Sequence, residues 1–105
     1  MFVGVLRLTF HVPHARSLKD KRRVVQRLRD RVRSRFDVSI AEVDAQDLHQ
    51  RVVFGVAVVS GDAAVCDAVL EKVAHEAESS GDAVLTGRST EIVTIGDDTF
   101  AGETG

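Results

Sequence analysis

The fold is decided by residues 17–36, which read SLKDKRRVVQRLRDRVRSRF. Apolar side chains recur in this stretch every three or four residues, which is the spacing of one face of an α-helix. They are Leu18, Val25, Leu28, Val32 and Phe36, and Lys21 occupies the position of the same spacing between Leu18 and Val25. Ser17 is a favourable N-cap, and Asp20 follows at the position of a capping box. The stretch therefore predicts a helix of about five turns with one apolar side.

Strand patterns lie on both sides of this helix. Residues 2–12 alternate between a core-facing and an outward-facing set and end at Pro13, while residues 38–43 and 51–60 predict two further strands joined by a polar loop. A second helix begins after a cap at Asp62 and stops at 79–81, and residues 83–95 predict a last strand with a bulge or kink at Gly87. The order β-α-β-β-α-β is that of an α+β, ferredoxin-like fold: a four-stranded antiparallel sheet with two helices on one face.

Length and composition predict one folded domain. The chain has 105 residues, of which 44% are hydrophobic and 29% charged, as in ordinary globular domains. We assign residues 1–96 to the domain and expect 97–105 to be a flexible C-terminal tail. No apolar run reaches the ~20 residues of a membrane span, the start does not resemble a signal peptide, and Cys66 is the only cysteine. These features predict a cytoplasmic protein without disulfides.

The charge distribution is the most informative feature of the composition. The net charge is only −2, yet residues 16–35 contain ten basic and two acidic side chains, a net of +8. The remainder of the chain carries four basic and fourteen acidic residues. Such a separation creates a strong local field on a nearly neutral molecule.

Three stretches together resemble the YlxP-like family of small bacterial proteins, a domain of unknown function. They are SLKDKRRVV at 17–25, VSIAEVD at 38–44 followed by QDL at 46–48, and GVAVVS at 55–60 followed by Asp62. The resemblance covers roughly residues 2–95 in the same order, and one departure is His49, where relatives often carry an aromatic residue. It implies a ferredoxin-like domain and a link to translation, because members are typically encoded beside initiation and ribosome-maturation factors. It implies no catalytic residues.

The basic helix is the best candidate for a function. Lys19, Arg23, Arg27 and Arg31 share its outward side, and clustered cations on a rigid helix are suited to phosphate contacts with RNA. Together with the link to translation that the resemblance implies, this helix at 17–36 predicts a non-enzymatic accessory protein of translation or ribosome maturation that binds structured RNA, with ribosomal RNA or a ribosomal subunit as its partner. The alternative is a solvated helix face whose charges pair with Glu42, Asp44, Asp47 or the acidic second helix. The five phenylalanines lie on predicted core faces or in the tail, which argues against base stacking on the sheet.

The sheet face away from the helices predicts self-association. Its outward positions are apolar, and a contiguous apolar patch usually marks a contact. The predicted interface residues are Val3, Val5, Val53 and Val59. We therefore expect a homodimer. The alternative function is that of a homo-oligomeric interaction module without a nucleic-acid role. The other possibility for this face is that the tail or a bent strand covers it.

No set of residues predicts catalysis, a cofactor or a metal. His11 and His14 flank Pro13 without further ligands, and Cys66 falls on the apolar side of the second helix, where it packs as a small hydrophobe. The loop carboxylates have no partner at a defined spacing. The start of the second helix, after Ser60 and Gly61, predicts no anion site, because Asp62 itself occupies it as the cap.

Overall fold

The computed structural model describes residues 1–96, so the predicted flexible tail at 97–105 lies outside the described residues. The elements are β1 (Phe2–His11), α1 (Leu18–Arg35), β2 (Ser39–Asp44), β3 (Arg51–Ser60), α2 (Ala63–Glu78) and β4 (Val84–Thr94). All strand pairs are antiparallel, and the order in the sheet is β2-β3-β1-β4. The predicted α+β, ferredoxin-like βαββαβ fold is confirmed, with element ends displaced from the predicted ones by one residue or so.

The helix caps form largely as the sequence predicts. The Ser17 hydroxyl accepts a hydrogen bond from the Asp20 amide at 3.1 Å, and Asp62 accepts one from the Ala64 amide at 2.9 Å. The Asp20 carboxylate bonds one residue earlier than a capping box requires, because it accepts from the Arg16 amide at 3.1 Å. This bond fixes the turn that leads from β1 into α1.

The core lies between the sheet and the two helices. Alternate residues of β1 and β3 point into it and are almost fully buried, including Phe10 and Phe54, whose rings meet edge to face with centroids 6.2 Å apart. Gly4 allows α2 to approach β1 closely, since a Cβ there would lie 2.9 Å from Leu70 Cδ1 and 3.1 Å from Cys66 Cβ. Cys66 itself is buried, as its helical position predicts.

Lys21 of α1 is a buried charged residue, and it lies on the inward side of the helix. The Lys21 side chain is only 2% exposed, and its ammonium donates to the carbonyl oxygens of Ala45 and Leu48, each at 2.6 Å. The Glu42 carboxylate lies 2.8 Å away and neutralises the charge. Ala45 has a φ of 55°, in the left-handed region that residues with a Cβ rarely adopt. The hydrogen bonds from Lys21 therefore hold the β2–β3 loop against α1, with the backbone of Ala45 in a strained conformation.

The predicted irregularity in β4 is present. The register between β1 and β4 shifts between Thr9 and Phe10, so that Thr9 pairs with Gly87 and Phe10 with Leu85. Thr86 is the extra residue, and its hydroxyl donates to the Thr9 carbonyl at 3.2 Å.

Candidate nucleic-acid interface

The basic residues of α1 fall on two sides of the helix, and one side faces α2. There, Arg31 Nε lies 3.0 Å and Arg35 Nη1 2.8 Å from the same Glu76 carboxylate oxygen, and Glu76 is only 15% exposed. Arg27 Nη1 lies 2.6 Å from the Asp82 carboxylate beyond the end of α2. The α2 side of the basic helix is thus largely neutralised within the chain.

Two of the four predicted RNA-binding residues therefore have partners. Arg27 and Arg31 would have to exchange a carboxylate for a phosphate, although Arg27 remains 65% exposed. Lys19 and Arg23 are exposed, and neither forms an ion pair within residues 1–96. The alternative interpretation, in which charges of the basic helix pair with acidic neighbours, accurately describes the α2 side.

Three arginines occupy the other side of α1, which faces the edge strand β2. Arg22, Arg29 and Arg33 are seven and four residues apart, which places them within about 40° of one another around the helix. Arg33 Nη2 donates weakly to the Ile40 carbonyl of β2 at 3.4 Å, and Arg29 is partly buried with its Nε atom unpaired among the described residues. None of the three has a carboxylate partner in the part of the chain that the structure describes.

These observations define a cationic surface that differs from the predicted set. It consists of Lys19, Arg22, Arg23, Arg29 and Arg33. Two acidic side chains lie close to it in sequence: Asp30 is exposed on the same helix, and Asp20 is engaged by the Arg16 amide. The helical wheel could have grouped the β2-side arginines from sequence, but only the packing of α2 shows which other cations are neutralised.

The second predicted surface, the open face of the sheet, is only partly accessible. Val59 is 62% and Val5 39% exposed, and Val3 is half-buried. Val53, which we expected to face solvent, is fully buried at 0%, so that expectation was wrong.

An ion pair spans β3 close to the buried Val53. Arg7 on β1 reaches Asp44 on β2, with Nη2 and Oδ2 3.4 Å apart. Because Arg7 is paired with Gly55 and Asp44 with Val53, the two side chains meet above β3 beside Val53. The exposed valines of this face include Val5 and Val59, next to Val93 at 41% exposure. On its other half, Val43 over Gly55 is 55% exposed, and Val84 opposite His11 is 56% exposed.

Within residues 1–96, no group of three or more His, Cys, Asp or Glu side chains converges as metal ligands would. In the same range, no helix combines the length and the apolar character that a membrane span requires. His11 and His14 lie exposed at the end of β1 and in the following turn.

Comparisons with known proteins agree on the family and the fold. The family described as "Protein of unknown function (DUF503)" matches residues 3–90. The "Uncharacterized protein YlxP" of Bacillus subtilis (strain 168) is 44% identical over 59 residues, which are 56% of this chain and 64% of that protein. The match thus spans less than two thirds of the relative's length. The "De novo designed protein Foldit4" covers 90% of this chain and 99% of its own with a TM-score of 0.51, and at 13% identity it shows likeness of fold alone.

Proposed function

Because the chain belongs to the DUF503 family of YlxP-like proteins, which is described only as of unknown function, we propose a function from the surface of α1. The protein is a non-enzymatic accessory protein of translation or ribosome maturation that binds structured RNA. Its partner is ribosomal RNA or a ribosomal subunit. The observation that carries this proposal is the set of β2-side arginines, Arg22, Arg29 and Arg33, which have no carboxylate partner among residues 1–96.

The physical case rests on how arginine meets phosphate. The guanidinium group is planar and offers paired N–H donors that match two phosphate oxygens. The helical rise separates Arg22 from Arg29 by about 10 Å and Arg29 from Arg33 by about 6 Å along the axis. A rigid row of this kind can follow a phosphate backbone, and the release of counterions supplies much of the binding free energy.

The position of the aromatic residues favours structured RNA over single strands. Phe10 and Phe54 are buried between sheet and helices, and Phe2 and Phe36 pack against the same core. Single-strand readers stack bases on exposed aromatic rings, and none of these four rings offers such a platform. Recognition would then depend on backbone contacts and on the shape of the RNA.

The test compares two triple variants with the same change in charge. Replacing Arg22, Arg29 and Arg33 with Gln should weaken binding to ribosomal RNA and lower the slope of log affinity against log salt by about 0.7–0.9 for each phosphate that the variant no longer binds. Replacing Arg27, Arg31 and Arg35 with Gln is the matched control and should have a smaller effect, because those charges are already neutralised by Glu76 and Asp82.

Two results would count against the proposal. Wild-type protein that binds neither ribosomal RNA nor ribosomal subunits at ~50 mM salt, the condition that favours such contacts, would remove it. Equal weakening in the two triple variants would show that net charge alone is responsible and that the β2-side arginines form no interface.

A second candidate is self-association through the open sheet face. It is favoured by the exposure of Val5, Val59 and Val93 on one half of that face. Val59→Lys would place an ammonium in a sheet-to-sheet contact that uses this half of the face but leave the monomer unaffected, since Val59 is 62% exposed. Light scattering should give a dimer for the wild type and a folded monomer for Val59→Lys; a wild-type monomer at high concentration would eliminate this candidate.

A further inference from the structure

An open cleft of about 550 Å³ lies at the end of the sheet where β1 finishes and β3 begins. Thr9, His11 and Arg51 line it from these two strands, and Thr86 and Gly87 line it from β4. A second hollow of about 350 Å³ adjoins it and shares His11 and Arg51. The volume is in the range of small-molecule sites, about 300–1,000 Å³.

The backbone around the cleft is held firmly. The bulge at Thr86 opens the sheet at this point, and Gly87 contributes no side chain to fill the space. On the other side, the Gln50 carbonyl accepts from the Val12 amide at 2.9 Å, and the Gln50 side chain donates to the Ala15 carbonyl at 3.2 Å. These bonds tie the turn after β1 to the start of β3, so the cleft is built into the fold.

The cleft carries two basic side chains that face each other from neighbouring strands. His11 and Arg51 lie directly opposite each other in the β1–β3 register, and both side chains are exposed. A protonated histidine beside an arginine is unfavourable in a cross-strand pair. Neither side chain forms an ion pair with any carboxylate of residues 1–96.

Two further titratable groups face this region. His49 and Asp47 line the second hollow from the β2–β3 loop, and β4 contributes only Thr86 and Gly87. Asp47 is therefore the single carboxylate that lines either hollow. The Thr86 hydroxyl already donates to the Thr9 carbonyl, whereas the half-buried Thr9 hydroxyl has no hydrogen-bond acceptor in the described range and is free to donate to a ligand.

We propose that His11 and Arg51, assisted by the Thr9 hydroxyl, bind the phosphate group of a phosphate monoester. Arginine binds phosphate oxygens in pairs, and a histidine ring N–H can donate a further hydrogen bond to a phosphate oxygen. A monoester offers three terminal oxygens and close to two negative charges, whereas a diester in the RNA backbone offers two such oxygens and one charge. The monoester belongs to a free nucleotide or to the terminal phosphate of an RNA strand.

This site is independent of the proposed role of α1. The outward residues of β1 and β3 lie on the sheet face opposite the helices, as the burial of the alternate residues in the helix-covered core shows. Removal of the monoester site therefore leaves the cationic surface of α1 intact, and the two proposals can fail separately.

The experiment follows backbone amide resonances by NMR during titration with inorganic phosphate and with a nucleoside 5′-monophosphate. The amides of His11 and Arg51 should shift with saturation in the millimolar range or below. Arg51→Gln should weaken binding at least about tenfold. Lys72→Gln removes the same charge from the exposed side of α2 and should bind as the wild type does. His11→Ala should also weaken binding, because it removes the side chain that lies opposite Arg51.

A second arm identifies the source of the monoester. One short RNA is titrated with a 5′-phosphate and, separately, with a 5′-hydroxyl group. A preference for the phosphorylated strand that disappears in Arg51→Gln assigns the site to RNA ends, and saturation by the nucleotide alone assigns it to a small molecule. Equal binding of both strands with no nucleotide binding would overturn the proposal, as would shifts that map to α1 or an affinity unchanged in Arg51→Gln.

Discussion

Removal of the Lys21 ammonium should destabilise the protein more than any surface change. Lys21→Met retains most of the side-chain volume but leaves the carbonyl groups of Ala45 and Leu48 without a donor and Glu42 without its counter-charge. The lysine is 2% and the glutamate 18% exposed, so water can satisfy these oxygen atoms only in part. Breaking a buried ion pair from one side reduces the free energy of unfolding by about 3–5 kcal/mol.

That reduction is large compared with the stability of a small domain, about 5–15 kcal/mol. Urea unfolding should show a midpoint lower by on the order of 2 M, given slopes of about 1–3 kcal/mol per M. Lys19→Met is the matched control, because Lys19 is exposed two residues earlier on the same helix, and it should change the stability by less than about 0.5 kcal/mol.

The double variant Lys21→Met, Glu42→Leu separates the contribution of the ion pair to stability from that of the hydrogen bonds to the two carbonyl groups. It should recover part of the stability, since no carboxylate is then left without a partner. A Lys21→Met variant within about 1 kcal/mol of the wild type would refute the reasoning, because the β2–β3 loop would then be held by its own turn and not by the lysine.

Three other changes test the packing and the charges. Gly4→Ala should lower the free energy of unfolding by about 1–3 kcal/mol in urea titrations, since the new methyl group would lie 2.9 Å from Leu70; unchanged stability would show that α2 moves aside easily. Cys66 should react with thiol reagents only on unfolding, because it is buried, and Cys66→Ala should reduce stability by on the order of 1 kcal/mol; rapid labelling of the native protein would contradict this. A hydrogen bond and the charge of Arg88 hold the pKa of Glu71 below its usual value of 4.5, so this pair stabilises the fold above that pH, and its contribution is lost as pH falls through the lower folded value. Glu71→Gln should flatten the acid side of the stability profile, and an unchanged profile would show that the pair is inert.

The local sequence was sufficient for the elements and their order. Ser17 and Asp62 mark the helix starts because a side-chain oxygen can satisfy an amide within the same turn. The alternation in β3 distinguishes Phe54, which belongs to the core, from residues of the other face. Gly87 indicated the irregularity in β4, and the observed bulge is at the adjacent Thr86. All these signals act over a few residues, so they can be recognised without tertiary contacts.

The environments of two residues depend on contacts with distant parts of the chain. Lys21 lies at an inward helical position, and its burial is tolerable only because the loop after β2 supplies carbonyl oxygens and a carboxylate. Val53 has the alternation of an exposed position, yet Arg7 and Asp44 meet beside it from the two neighbouring strands. Neither arrangement follows from hydrophobic periodicity, because each requires the spatial order of the strands.

The sequence by itself determined the fold, the helix caps and the concentration of positive charge in residues 16–35. Only the tertiary structure decided which of those charges remain available to a ligand. Packing of α2 against one side of α1 brings Glu76 to Arg31 and Arg35, whereas no carboxylate reaches Arg22 on the other side within residues 1–96. The physical reason is that a charge is neutralised by whatever lies within a few ångströms in space, and that distance is set by how the elements pack.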